Sequence, residues 1–176
     1  MPIKSSIRAV PNHPKPGIIF RDITTLLQNP VTFGMVIDQL AARYKDSNIT
    51  KITAIESRGF IFGAALAYQL RVGFVPIRKK GKLPGPTIGH DYELEYGTDH
   101  IEIHVDAIDK GERVLLIDDL LATGGTAEAA IKLLHKVEAV VVECCFVVDL
   151  PELGGRRRLE QDCGQTVFAV TTFEDE

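Results

Sequence analysis

The stretch Val114-Leu-Leu-Ile-Asp118-Asp119-Leu-Leu-Ala-Thr123-Gly124-Gly125-Thr126, followed by Ala127-Glu-Ala-Ala-Ile-Lys-Leu-Leu134, decides how the rest of the chain is read. The apolar run Val114 to Ile117 predicts a strand buried on both faces. Two adjacent carboxylates stand where that strand emerges, a Thr-Gly-Gly-Thr loop follows, and 127–134 has helix-forming composition. Each part has a chemical use. Gly124 and Gly125 let the backbone turn with its N–H groups inward, the hydroxyls of Thr123 and Thr126 add donors, and the helix start adds partial positive charge. That combination, with Ala122 as its first residue, suits a phosphate monoester. Asp118 and Asp119 would repel a phosphate but accept hydrogen bonds from vicinal hydroxyls, so the whole suits a ribose 5-phosphate. Taken singly, Asp119 reads equally well as a helix-capping acid and the loop as a tight turn; the chemical reading rests on their order. Neither a Gly-x-x-x-x-Gly-Lys-Ser/Thr cradle nor a Gly-x-Gly-x-x-Gly fingerprint occurs.

Working outward, strands and helices alternate. The pattern predicts strands at 52–55, 73–77, 101–105, 114–117, 139–148 and near 166–170, with helices at 30–44, 60–70 and 125–135. That order implies an α/β fold with a central parallel sheet flanked by helices on both faces. In such sheets ligands lie at the carboxyl ends of the strands, where both Glu56-Ser57-Arg58-Gly59 and Asp118-Asp119 fall. The opening segment through Val10-Pro-Asn-His-Pro-Lys-Pro-Gly17 is too rich in proline for a long helix. Between two predicted strands, Arg78 to Gly97 carries four cations in its first five residues, and its glycines and prolines exclude a long regular element. A loop of that length predicts a functional lid. His100, Glu102 and His104 could imitate a metal triad, but the intervening Ile101, Ile103 and Val105 predict an alternating strand with its polar face outward. Arg156-Arg-Arg158, after Gly154-Gly155, reads as a solvated charged turn.

A length of 176 residues predicts one domain, with 45% hydrophobic and 25% charged residues. The net charge of −4 argues against a general nucleic-acid binder. Cys144 and Cys145 lie in a predicted core strand and, with Cys163, form no Cys-x-x-Cys, so buried reduced thiols are expected. The start lacks the apolar core of a signal peptide and no apolar run approaches a membrane span, so a cytoplasmic protein with no membrane partner is expected.

Three features converge on one ligand. The loop suits a terminal phosphate, the acidic pair suits ribose hydroxyls, and Arg58, Arg78, Lys79, Lys80 and Lys82 suit a second, more highly charged group such as pyrophosphate. Phosphoribosyl pyrophosphate has all three. The acidic pair with Ala122-Thr-Gly-Gly-Thr126 is similar to the signature of the type I phosphoribosyltransferases. Pro16-Gly-Ile-Ile-Phe-Arg-Asp-Ile-Thr24, Glu56-Ser-Arg-Gly-Phe60, Arg78-Lys-Lys-Gly-Lys-Leu-Pro-Gly85 and Leu94-Glu-Tyr-Gly97 resemble, in the same order, the adenine phosphoribosyltransferases. The resemblance runs from about residue 10 to 150; Thr25 departs from it, standing where a proline is common.

The resemblance implies that adenine and phosphoribosyl pyrophosphate give AMP and diphosphate with the help of Mg²⁺, a purine-salvage reaction. It implies a small N-terminal hood (about 1–28) and a flexible lid loop (about 78–100) on one phosphoribosyltransferase domain. Glu95 then serves at adenine N7, and Tyr96 covers the ribose. Glu56, Ser57, Arg58, Lys79 and Lys82 meet the pyrophosphate, and Ile19, Phe20 and Arg21 read the base, with Phe20 either stacking or merely core. No protein residue is expected to ligate the metal directly, since substrate oxygens and water hold it. A homodimer is implied, with the cationic lid base near the partner's site. Two rivals remain: the same fold acting on another purine, and a regulator that binds nucleic acid, which would need a helix-turn-helix extension or a basic patch and is disfavoured by the chain's acidity.

Overall fold

The computed structural model describes residues 2–174. Its elements are a short helix α1 (Pro2–Ser5), strands β1 (Arg8–Pro11) and β2 (Ile19–Asp22), and helices α2 (Thr24–Gln28) and α3 (Pro30–Tyr44). Then come β3 (Lys51–Ile55), α4 (Arg58–Leu70), β4 (Gly73–Lys79), β5 (Thr87–Glu93), β6 (Thr98–His104), β7 (Arg113–Leu121), α5 (Gly125–Lys136), β8 (Val140–Asp149) and β9 (Val167–Thr172). A two-stranded antiparallel ribbon, β1 with β2, stands apart from a seven-stranded sheet ordered β5-β6-β4-β3-β7-β8-β9. The run from β4 through β3, β7 and β8 to β9 is parallel.

Strand β7 shows why the sheet is layered as it is. Successive side chains leave a strand on opposite faces. Leu115 and Ile117 enter a core with Val36 and Leu40 of α3 and Phe62 and Leu66 of α4. Val114 and Leu116 enter a second core with Ala127, Ile131 and Leu134 of α5. The adjacent thiols of β8 divide the same way, Cys145 to the first core and Cys144 to the second, both fully buried and unpaired. Because both faces are covered, β7 is apolar at every residue from Val114 to Ile117.

Local signals place the helix starts. Asn29 caps α3, its side-chain oxygen accepting from the amides of Val31 at 2.9 Å and Thr32 at 3.4 Å, with Pro30 at the first helical position. At α4, Gly63 lets the helix lie on β3, since an added Cβ would come 2.8 Å from Cβ of Ala54. Thr25 has a use in the hood: its hydroxyl accepts from the amide of Arg8 at 3.1 Å and donates to the carbonyl of Ser6 at 2.6 Å.

The structure corrects three expectations. The segment 78–100 is not all loop. β5 pairs antiparallel with β6 along its whole length, and β6 pairs antiparallel with β4, so the sheet is mixed and the segment is largely a hairpin. The cross-strand partners overcome the local disfavour of Gly89 within β5. Nor does β6 turn its whole polar face outward, for Glu102 is only 9% exposed, with His100 Nε2 at 3.3 Å and Arg78 of β4 as its cross-strand partner. Finally, Arg156 and Arg158 are not merely solvated: Arg156 pairs with Asp149 at 2.8 Å, and Arg158 pairs with Glu128. No helix among the described residues is long and apolar enough to cross a membrane.

Phe62 of α4 is fully buried in the core with Leu115 and Ile117 and meets Phe33 of α3 edge to face, with ring centroids 5.9 Å apart. Phe62→Ala should cost about 3–5 kcal/mol. Urea unfolding checks this, the expected result being a lower midpoint with an unchanged slope.

Candidate active site

The carboxyl ends of β3, β4 and β7 open into a cavity of about 330 Å³. It is lined by Glu56, Ser57 and Arg58 from the turn after β3, by Lys79 at the end of β4, by Asp118 and Asp119 on β7, and by Tyr92, Leu94, Asp99 and Thr126. A second cavity of about 130 Å³ adjoins it, formed by 120–127 with Asp118 and Phe146. Asp118 and Thr126 belong to both.

The acidic pair is held from behind by a helix. Gly59, in the first turn of α4, lies so close to β7 that an added Cβ would come 2.8 Å from Asp118 Oδ1 and 3.2 Å from its Cα. Only a residue without a side chain lets α4 approach there. Asp118 Oδ1 also accepts from the amide of Asp119 at 2.8 Å. Burial, and then the adjacent charge of Asp119, push the Asp118 carboxyl well above the ordinary carboxylate range. The peptide bond joining Glu56 to Ser57 is cis.

Each cation at the cleft is backed by a more deeply buried carboxylate. Arg58 Nε donates to Asp119 Oδ2 at 2.5 Å, with side chains 51% and 8% exposed. Lys79 Nζ donates to Asp99 Oδ2 at 2.7 Å, and Arg78 Nε lies 3.3 Å from Glu56 Oε1. That same Glu56 oxygen accepts from the amide of Lys79 at 2.6 Å. The hydrogen bond to Asp119 raises the pKa of Arg58, with Asp22 in the hood adding to the effect, and the bond to Asp99 raises that of Lys79. Half-exposed pairs of this kind contribute little stability. Their consequence is direction: the carboxylates fix where the positive groups stand.

The second cavity is the Thr-Gly-Gly-Thr loop. Gly124 has φ +83°, a left-handed conformation that costs a glycine nothing, and it precedes the first residue of α5. The unpaired first-turn amides of α5 and the positive end of its dipole therefore meet at the loop, the arrangement that binds anions.

Of the residues singled out in the sequence, the structure brings together Glu56, Ser57, Arg58, Lys79, Asp118, Asp119 and Thr126 in the first cavity, and Ala122 to Thr126 in the second. It does not bring in Glu95 and Tyr96, which lie exposed at the tip of the β5–β6 hairpin, closed by Leu94 N to Gly97 O at 2.9 Å. Lys82 is exposed beyond the end of β4, its carbonyl 3.5 Å from Arg78 Nη1. Ile19, Phe20 and Arg21 form β2 in the hood; Phe20 meets His13 edge to face, and Arg21 stacks on Phe173 at 4.1 Å. Sequence reasoning missed Tyr92 and Asp99. The Tyr92 hydroxyl donates to Asp99 Oδ2 at 3.3 Å, the oxygen that also meets Lys79, and Tyr92 lines the cavity together with Thr126. The signal was a strand pairing, Tyr92 opposite Asp99, which the local pattern does not show.

The family model for a phosphoribosyl transferase domain matches residues 22–168. The chain belongs to the phosphoribosyltransferase family. An adenine phosphoribosyltransferase of Nitrosospira multiformis is 63% identical over 174 residues, 99% of each chain. The crystal structure of an adenine phosphoribosyltransferase from Thermoanaerobacter pseudethanolicus superposes with a TM-score of 0.91 at 46% identity, covering 98% of each chain. That of the Saccharomyces cerevisiae enzyme, complexed with an imino-altritol bisphosphate and adenine, gives 0.89 at 41% identity over 97% of each chain.

The raised pKa of Asp118 carries a stability consequence whose sign is fixed. Folding raises this carboxyl above its ordinary value of 3.8, so the folded state disfavours the ionised form. Its contribution is most favourable below the unfolded pKa and is lost as pH rises through the folded one. Asp118→Asn, which keeps an oxygen for the amide of Asp119, should therefore unfold at a higher temperature than wild type at neutral pH. The gap should close on acidification toward pH 4, at about 2–4 °C for each kcal/mol. Thermal scans across pH check it, and a variant less stable at neutral pH contradicts it.

Proposed function

We propose that the two adjoining cavities hold one molecule of phosphoribosyl pyrophosphate while adenine displaces its diphosphate. The reaction is that of an adenine phosphoribosyltransferase: adenine N9 bonds to C1 of the ribose, the C1–O bond breaks with its electron pair going to diphosphate, and AMP forms as the base loses a proton. The observation that carries the site assignment is the sharing of Asp118 and Thr126 between a cation-lined cavity and a phosphate cradle.

In this reading the amides and hydroxyls of 122–126 take the 5-phosphate, and Asp118 and Asp119 accept from the ribose hydroxyls. Their carboxyl oxygens, facing C1, favour the positive charge that develops there. Glu56 and Ser57 present the turn after β3 to the diphosphate. Arg58 and Lys79, already aimed by Asp119 and Asp99, stabilise the charge on the departing group, and electrostatic stabilisation is commonly the largest catalytic contribution. Lys82, Glu95 and Tyr96 reach the substrate if the hairpin folds over the cleft, which also excludes water from C1. Glu95 then serves as hydrogen-bond acceptor or proton relay at adenine N7. In the hood, the backbone of Ile19 to Arg21 reads the N1 acceptor and N6 amine.

The residues present fit Mg²⁺. Carboxylate and hydroxyl oxygens of Glu56, Ser57, Asp118, Asp119 and Thr126 line the cavity. That donor set suits an ion carried chiefly by diphosphate oxygens and water, which would neutralise charge on the leaving group. Purine salvage in the cytoplasm and a homodimeric state complete the reading, on the family resemblance.

Product formation from phosphoribosyl pyrophosphate and Mg²⁺ should be measured with adenine, hypoxanthine, guanine and xanthine in parallel. AMP from adenine alone is the expected result, and turnover of a 6-oxopurine would overturn the reading of residues 19–21. Replacing Glu95 by Gln should lower the single-turnover rate about 10²–10⁴-fold, the range for loss of a general acid–base group, while leaving the affinity for phosphoribosyl pyrophosphate near wild type. A collapse of that affinity would assign Glu95 to the wrong substrate.

A further inference from the structure

The helical turn after β8, within residues 151–162, takes no part in the reaction as described, yet it touches the phosphate cradle at several points. Gly155 N donates to the carbonyl of Ala122 at 3.0 Å. A Cβ at Gly155 would overlap that same oxygen, and one at Gly124 would lie 3.1 Å from Gly155 Cα. The turn is thus the rear wall of the loop. Two ion pairs hold it there. Arg156 Nε donates to Asp149 Oδ2 at 2.8 Å and its Nη1 to the carbonyl of Val167 at 2.8 Å, which ties the turn to the end of β8 and the start of β9. Arg158 pairs with Glu128 in the first turn of α5.

The Asp149 pair is a costly device if stability is its only purpose. Asp149 is 0% exposed, and its second oxygen, Oδ1, is buried with no hydrogen-bond partner. A buried ion pair with an unsatisfied lone pair seldom stabilises a fold more than apolar packing would. What it does fix is the location of Gly155. A Gly-Gly loop has wide conformational freedom, and amide donors assist binding and catalysis only when already oriented.

We propose that Asp149 and Arg156 are positioning residues for the 5-phosphate: their ion pair seats Gly155 against Ala122 and so sets the amides of 123–126 before substrate arrives. This rests on the reading that 122–126 binds the 5-phosphate. The test compares Arg156→Ala, Arg156→Lys and Gly155→Ala with Thr126→Val, which alters the cradle itself. Ribose 5-phosphate affinity is measured by calorimetry, together with the KM for each substrate and the melting temperature. Arg156→Ala and Gly155→Ala should each weaken ribose 5-phosphate about tenfold or more and raise the KM for phosphoribosyl pyrophosphate, with the KM for adenine nearly unchanged. Arg156→Lys should recover part of the loss, because an ammonium can still meet Asp149 but not Val167 as well. If Arg156→Ala does not fold, Arg156→Lys and Gly155→Ala carry the test. Wild-type ribose 5-phosphate affinity in those variants, beside weakened binding in Thr126→Val, would overturn the positioning role and leave the cradle standing. Wild-type affinity in Thr126→Val as well would remove the cradle assignment on which it rests.

Discussion

Two adjacent carboxylates at the end of a strand buried on both faces are expensive to place, and much of the cleft can be read as the means of placing them. The strand must be central for its end to reach a crevice, so helices cover both of its faces. The helix on one side must come within contact of Asp118, so it carries Gly59 there. One carboxylate is compensated by Arg58 while the other is left strained toward its protonated form. Under the proposed roles, the phosphate groups of the substrate meet Arg58 and Lys79, whose positions are set by Asp119 and Asp99, and the acidic pair meets only its ribose hydroxyls.

The hairpin and the hood complete the arrangement from opposite sides. Tyr92 and Asp99 face each other within the hairpin and Asp99 holds Lys79 of β4, so motion of β5 and β6 is linked mechanically to Lys79. In the hood, Asp22 is close enough for its charge to favour the charged form of Arg58. Under the proposed roles, the groups that handle the base, Glu95 and Ile19 to Arg21, lie on these outer pieces. The groups that handle phosphate and ribose lie on the sheet.

That division also explains what could be read from the sequence. The strand, acidic pair, loop and helix of 114–134 are contiguous, and each is governed by local physics: apolar run, φ-permissive glycines, helix composition. The helix of Pro30–Tyr44 is equally local, marked by Asn29 and Pro30 at its start. What stayed hidden depends on partners distant in the chain. The strand character of 87–93 comes from pairing with 98–104, against the local message of its glycine. Glu102 is buried beside Arg78 and His100, the first reached only through the pairing of β4 with β6. Arg156 and Arg158 look like surface charge because Asp149 and Glu128, which hold them, precede them and belong to other elements. Asp99 gave no motif at all, and its place is set by Lys79 and Tyr92 across the strands.

The central claim is that one substrate lies across both cavities, pivoting on Asp118 and Thr126. A crystal structure of the chain with AMP and diphosphate tests it most directly. The account predicts phosphate oxygens within hydrogen-bonding distance of the amides of residues 123–126, ribose hydroxyls on Asp118 and Asp119, and diphosphate against Ser57, Arg58 and Lys79. A nucleotide phosphate bound away from that loop, or a ribose that leaves both aspartates without a hydroxyl, would contradict it.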